Sequence, residues 1–420
     1  MTALLEGVRV LDLTRILAGP WATQNLADMG AEVIKIERPG HGDDSRTFGP
    51  PFLKDTQTGD PTDAAYYLTC NRGKKSVAVD ISTPEGQQIV LELAAKSDIL
   101  VENYKVGGLK KYGLDYESLK ERFPHLVYCS ITGFGQTGPY APRAGYDYLI
   151  QGMGGLMSVT GEPDDQPGGG PQRVGVAVID LFTGMYATVA ILAALRNKDK
   201  TGKGQHIDIG MLDVSASMMV NQAMNYFVTG KVPQRTGKAH PNIAPYQWFH
   251  ASDGHILLAV GNSAQYERMC KVMGRPDLAT NEKFATPAAR VANAKELAEI
   301  IDSITRQKTI DEWVSLMESV DVPCGPINTL DRLFSDPQIE ARGTKTRYSH
   351  PVYGEVTAVN NPIRFSDTPI SDVPPPPVLG EHTAAVLTSV LGKSPEELEA
   401  LKAKGTVGLA EYPQLSQTRG

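Results

Sequence analysis

The chain has 420 residues, enough for two or three domains, and a net charge of −7 that argues against nucleic acid or an anionic membrane as partner. Its 41% hydrophobic and 21% charged composition is that of a soluble globular protein. Glu6 and Arg9 interrupt the N-terminus, no window reaches about 18 uninterrupted apolar residues, and Cys70, Cys129, Cys270 and Cys324 are widely scattered. We therefore expect no signal peptide, no membrane span, no metal site, and a cytoplasmic protein with reduced thiols.

In chain order, residues 8–13 read as a strand, 22–30 as a helix closed by Gly30, and 31–37 as a second strand, a compact β-α-β unit. Residues 75–81 predict a third strand. A helix follows with Ser82 or Thr83 as cap, Pro84 in its first turn and Glu85 completing a capping box, ending near Lys96. Residues 98–104 and 126–135 predict two more strands, so the alternation through about residue 200 implies a parallel, doubly wound α/β sheet covered on both faces.

Basic residues gather at the strand ends: Lys35 and Arg38, then Arg72, Lys74 and Lys75, then Lys105, Lys110 and Lys111. Arg38 and the lysines after Tyr104 are placed to converge on phosphates; a solvated charged rim explains the same pattern. The segment "GFGQTG" (133–138) formally matches a dinucleotide fingerprint, but Pro139 follows at once and no helix opens there, so a nicotinamide cofactor is not expected. No zinc-protease or nucleophile-elbow motif is present.

Residues 160–173 read as a polar loop, either a flap or an ordinary connection. Next comes "VGVAVIDLFTGMYATVAILAAL" (174–195), read as a buried strand at 174–179 and a helix from Gly184, with Asp180 the single charge. Two readings of Asp180 stay open at this level: a helix N-cap, or an ionised nucleophile or base at the positive end of a helix.

Beyond it we expect a strand at 206–211, a Met-rich helix at 212–228, a hairpin turning on Asp253 and Gly254, and helices near 264–273, 287–305 and 310–319. After "VPCGPINTL" (322–330) one more helix, a second hairpin at 346–359, a stretch of four prolines and two final helices complete the chain. The expected division is a large domain over 1–210, a linker over 211–235, a small α+β domain over 236–328, and a C-terminal return over 329–420.

The ordered segments "GVRVLDLTRILAGPWATQNLADMGAEVIKIERPG", "NRGKKSVAVDISTPEG", "DILVENY", "ITGFGQTGPYAPRAGYDYLIQGMGG", "VIDLFTGMYATVAILAAL", "TGKGQHIDIGMLD" and "PPVLGEHT" resemble the class III coenzyme A transferases, from Gly7 to about Leu391. That family includes formyl-CoA:oxalate and carnitine CoA-transferases and α-methylacyl-CoA racemase. The resemblance implies a large Rossmann-like α/β domain built from both chain ends, a smaller domain, and an interlocked-ring homodimer. It implies that Asp180 attacks an acyl-CoA, forming a mixed anhydride and then an aspartyl-CoA thioester.

For coenzyme A, a substrate rather than a tightly bound cofactor, the resemblance assigns Leu17, Ala18 and Arg38, the backbone of Val79, Asp80, Ile81 and Ser82, then Asn103, Tyr104, Lys105 and Lys111. Tyr146 and Asp147 lie nearer the thioester. Against the formyl-CoA transferase pattern Leu17 replaces a Gln, Ser82 a Lys, Lys105 a Gly and Ala144 a Lys. Tyr146 stands where the racemases carry a catalytic histidine, and a tyrosine is a poor proton-transfer base at neutral pH, so transfer is favoured over racemisation or isomerisation and over non-catalytic CoA binding. The segment "AVGNSAQYERMC" (259–270) lacks the tetraglycine of the oxalate enzymes and resembles users of succinyl-CoA or related donors, so a dicarboxylate acceptor is expected.

Overall fold

The structure, a computed structural model, describes residues 3–370 and 373–410; the expected C-terminal return therefore lies in part, at 371–372 and 411–420, outside the described residues. Six strands form its main sheet: β1 (Arg9–Asp12), β2 (Glu32–Glu37), β3 (Lys74–Val79), β4 (Ile99–Glu102), β5 (Val127–Thr132) and β6 (His206–Gly210). They are mutually parallel in the order β3-β2-β1-β4-β5-β6, and a short antiparallel strand, Val407–Gly408, adds beside β3. Alternate residues along each strand serve opposite faces. Val10, Val33, Ile99 and Val101 pack on one side with helix α1 (Ala18–Asp28), while Leu11, Ile34 and Leu100 pack on the other with helix α2 (Pro84–Ala95) and the C-terminal helix Thr383–Leu391. Each fully buried aliphatic side chain contributes about 1.5–3 kcal/mol, and of the charged residues that the strands bury, Asp12, Lys35 and Lys74 are ion-paired.

Helix α3 (Asp147–Met153) precedes the longest helix, α4 (Val178–Thr201), and helix α5 (Met211–Met218) follows β6. By length and composition alone α4 could cross a membrane, but its Ile179, Thr183, Ala187, Ile191 and Ala194 face is buried. Gly184 explains the close packing of α4 on α1: a side-chain carbon there would lie 2.6 Å from the Ala18 carbonyl oxygen. This contact brings the start of α4 against the β1–α1 turn.

The chain divides into two units, one comprising 1–155, 175–220 and 340–420, the other 156–174 and 221–339. Residues 156–174 thus belong to the smaller unit, where the sequence placed them in the larger, and 211–235 is shared between the two units rather than forming a separate linker. The smaller unit is α+β, with an antiparallel sheet of Tyr246–Ala251, Gly254–Ala259 and Cys324–Pro326. Helices Ser263–Val272, Ala294–Thr305 and Ile310–Glu318 accompany it around Phe249, Ile256, Leu297 and Trp313.

Three local expectations are corrected. Residues 174–177 are not a strand, and Val178 and Ile179 open α4; an apolar run this short does not distinguish the two states. Thr83 caps α2 by accepting from the Gly86 amide, which leaves no carboxylate at the third helical position, so no capping box forms; Glu85 pairs with Lys404 instead. The Met-rich helix is two helices, meeting at Met219 and Val220, where Val220 has φ 28°.

Candidate active site

In a parallel sheet with this strand order, the crevice opens beyond the C-terminal ends of the strands flanking the reversal, here β1 and β4. Two adjoining cavities lie there, and Arg15 and Tyr104 line both. The first, about 480 Å³, runs past the ends of β2 and β3 and is lined by Arg38, Asp43 and residues 79–82. The second, about 190 Å³, is lined by residues 15–18, 103–106, 131–133 and 143–146, by Met211 and by Asp180.

The floor is built on buried charge. Lys35, with no exposed side-chain surface, donates to the Thr14 carbonyl at 2.7 Å and to Asp43 at 2.8 Å. Lys74, equally buried, donates to Asp12, the Pro20 carbonyl and Asn71. Asp43 opposes its own burial through Lys35 and the amides of Ser45 and Ile16, which together hold its carboxyl down to about 2. Ile16 sits at φ 74°, a conformation that costs a β-branched residue on the order of 1–3 kcal/mol and is held here by the Asp43 contact. Asn103 joins the two turns, its amide donating to the Arg15 carbonyl at 2.8 Å while its oxygen accepts from the Arg15 amide at 2.9 Å.

Asp180 is the third residue of α4, not its cap. The first-turn amides are taken by Asp147, whose Oδ1 accepts from the Ile179 amide at 2.8 Å and the Asp180 amide at 3.3 Å; Gln151 donates to its Oδ2 at 2.6 Å. The helix field expected to keep Asp180 ionised is therefore directed onto Asp147. Burial, followed by the charge of Asp147, pushes the Asp180 carboxyl up to about 7, which corrects the expectation of a fully ionised group. The Tyr66 phenol, pushed up to about 12 by burial and then by Asp180, feels the same pair.

Two glycines let the loop carrying Tyr146 reach this point. A side-chain carbon on Gly133 would lie 2.6 Å from the Gly145 backbone, and one on Gly145 would lie 2.4 Å from Gly133. The first glycine of "GFGQTG" thus serves a backbone crossing.

Most residues singled out from the sequence meet along the two cavities. Leu17, Ala18, Asn103, Tyr104, Lys105, Tyr146 and Asp180 line the second, while Arg38, Val79, Asp80, Ile81, Ser82 and Tyr104 line the first. The Ser82 hydroxyl and amide both donate to Asp80, at 2.7 and 2.9 Å. Asp147 stands behind Asp180, and Lys111 lies beside the first cavity with its ammonium over the ring of Tyr112, a lining residue. Of the other basic residues, Arg72 pairs bidentately with Asp28 and Lys35 and Lys74 are buried, so these three are not a solvated rim, whereas Lys75, paired with Glu32, and Lys110 are solvent-accessible. Sequence reasoning missed Asp43, Ile16 and the lining role of Arg15 and Arg143; nothing in "TRILAGP" announces that Asp43 folds back beneath that turn. In the smaller unit, Asn262 of the 259–270 segment caps helix Ser263–Val272 by accepting from the Gln265 amide.

Comparison with known proteins gives a consistent result. A family model described as CoA-transferase family III matches residues 5–383. The succinate–glutarate CoA-transferase of Agrobacterium fabrum is 49% identical over 386 residues, 92% of this chain and 95% of that protein. The succinyl-CoA:glutarate CoA-transferase of Homo sapiens is 45% identical over 403 residues, 96% of this chain and 90% of that protein. Among solved structures, a CAIB/BAIF family protein from Brucella suis superposes with TM-score 0.81 at 48% identity, covering 93% of this chain and 100% of that one.

Proposed function

The chain belongs to CoA-transferase family III, and on that premise we propose that it moves coenzyme A from succinyl-CoA to glutarate or a dicarboxylate of similar length, with Asp180 as nucleophile. The observation that carries this reading is a single partly desolvated carboxylate, Asp180, lining a cavity that adjoins one lined by Arg38 and the 79–82 segment. Arg38, Lys105 and Lys111 suit the phosphates of coenzyme A, Leu17, Ala18 and the 79–82 backbone its nucleotide and pantetheine portions, and Tyr146 the approach to the thioester.

The Asp180 carboxylate attacks the thioester carbonyl, giving a mixed anhydride and CoA thiolate. The thiolate attacks the Asp180 carbonyl, releasing succinate and leaving an aspartyl-CoA thioester. The acceptor carboxylate attacks that thioester, forming a new anhydride and freeing the thiolate, which then takes the acceptor acyl group and restores Asp180. No proton is consumed, and each step exchanges one activated acyl bond for another, so the thioester's free energy is retained. A carboxylate raised to about 7 is a stronger nucleophile than an ordinary one while still half ionised at neutral pH.

The test is a panel of carboxylic acids with succinyl-CoA and acetyl-CoA as donors. Transfer from succinyl-CoA to C4–C6 diacids is expected to exceed transfer to monoacids, and activity confined to monoacids would overturn the dicarboxylate assignment.

The homodimer is part of the same proposal. Phe182, Met185, Tyr186 and Val189 repeat at helical spacing along α4, and Tyr146, Tyr148, Leu149 and Met153 adjoin them on and before α3; all are exposed in the single chain. Such a surface is what an obligate partner covers. Light scattering at low protein concentration should give twice the chain mass, whereas a stable monomer would contradict the dimer. A cytoplasmic location remains part of this reading.

A further inference from the structure

We propose that Arg143 is the specificity-determining cation that holds the distal carboxylate of a dicarboxylate acyl group while its other end reacts at Asp180. This inference rests on the dicarboxylate-transferase reading above. Three cationic side chains, Arg15, Lys105 and Arg143, line the cavity that contains Asp180. Arg15 is neutralised by Asp44 at 2.7 Å. Lys105 lies on the turn after β4, which the same reading uses for the phosphates of coenzyme A.

Arg143 differs from both. Among the described residues no carboxylate pairs with it. Its guanidinium is held by ring faces, 5.1 Å from the Phe134 centroid and 4.5 Å from that of Tyr140, and an Nη contacts the Met153 sulfur at 3.9 Å. Stacking of this kind fixes the plane of a guanidinium while leaving its edge N–H groups available, the arrangement that receives a carboxylate bidentately.

The backbone carrying Arg143 is also fixed relative to the nucleophile. Gly145 crosses against Gly133 at the end of β5, and four residues after Arg143 the Asp147 carboxylate takes the amides of Ile179 and Asp180. A diacid held as the mixed anhydride on Asp180 carries its second carboxylate several bonds from that group, and Arg143 lines the same cavity as Asp180. Arg143 is exposed in the single chain, and a charge-assisted pair with it gives a diacid an interaction that a monoacid lacks.

Binding of succinyl-CoA, butyryl-CoA and free CoA to Asp180→Asn protein, measured by calorimetry, tests this without turnover. Butyryl-CoA matches succinyl-CoA in chain length and carries a methyl group in place of the distal carboxylate. Adding Arg143→Gln to that protein is expected to weaken succinyl-CoA by about 10- to 100-fold, the range for a lost charge-assisted hydrogen bond, and to leave butyryl-CoA and CoA within about twofold. Arg143→Lys should recover part of the loss. If all three ligands weaken equally, or none does, Arg143 does not read the distal carboxylate and the inference fails while the transferase reading stands. If the Asp180→Asn protein prefers butyryl-CoA to succinyl-CoA before Arg143 is changed, the dicarboxylate reading itself fails, and this inference with it.

Discussion

Asp180→Asn is expected to reduce CoA transfer by at least about 10⁴-fold, since removal of a covalent nucleophile leaves only binding and orientation, and at the same time to make the folded chain more stable at pH 8. The second effect follows from the carboxyl's environment. Its pKa is raised from 3.8 to about 7, chiefly by burial and then by Asp147. Between about pH 4 and pH 7 the folded protein therefore holds a proton that the unfolded chain has released, and stability falls as pH rises through that window. Above pH 7 the whole penalty is present, on the order of 2–4 kcal/mol, and a neutral asparagine escapes it. Below pH 4 both forms are neutral and the difference should vanish. Denaturant melts of both proteins at pH 4.5 and pH 8, with activity of the wild type across the same range, test the assignment. Wild-type kcat/KM should climb about tenfold per pH unit below 7 and level off above it. A variant with more than about 1% of wild-type transfer would refute Asp180 as nucleophile; equal stability at both pH values would refute its burial as described.

What the sequence disclosed and what it concealed divide along a physical line. The strands of the main sheet were legible because apolar runs bounded by turn residues are local signals, and the order of elements then restricts a parallel sheet to few topologies. Asp180 was conspicuous as one charge in 22 residues. Its relation to Asp147, 33 positions earlier, was not visible, and that relation decides which carboxylate takes the helix amides and which is left to be pushed up. Lys35 and Lys74 show the same gap: composition places lysines at the surface, and only the tertiary pairing with Asp43 and Asp12 reveals that both are interior. The failed strand at 174–179 came from a run too short for its period to be read, and the shifted domain boundaries from segments that leave one unit and return to it.

Asp43→Ala is expected to be strongly damaging, with a cost of about 3–5 kcal/mol, because it removes the carboxylate that pairs directly with the buried Lys35 ammonium and leaves it only the unbonded charges of Asp12 and Glu37. Three further contacts go with it: the Ile16 amide, the Ser45 amide and the Ser45 hydroxyl all lose their acceptor. Ile16 is then free to leave φ 74°, so the turn that carries Leu17 and Ala18 into the cleft loses its shape as well as its support. The pair's pH dependence has the opposite sign to that of Asp180. Asp43 is held down to about 2, so its contribution is complete above about pH 4 and is lost as pH falls from 4 toward 2. Urea unfolding at pH 7 should therefore show the full deficit of the variant, and the gap should narrow on acidification through that interval. Replacing both charges, Lys35→Met with Asp43→Leu, separates stability from function: an apolar pair of similar volume should restore most of the folding free energy, but it provides no acceptor for the Ile16 amide, so transfer should stay well below wild type. A single Asp43→Ala variant within about 1 kcal/mol of wild type at pH 7 would show that water reaches Lys35, and a fully active double variant would show that the Ile16 turn keeps its conformation without Asp43.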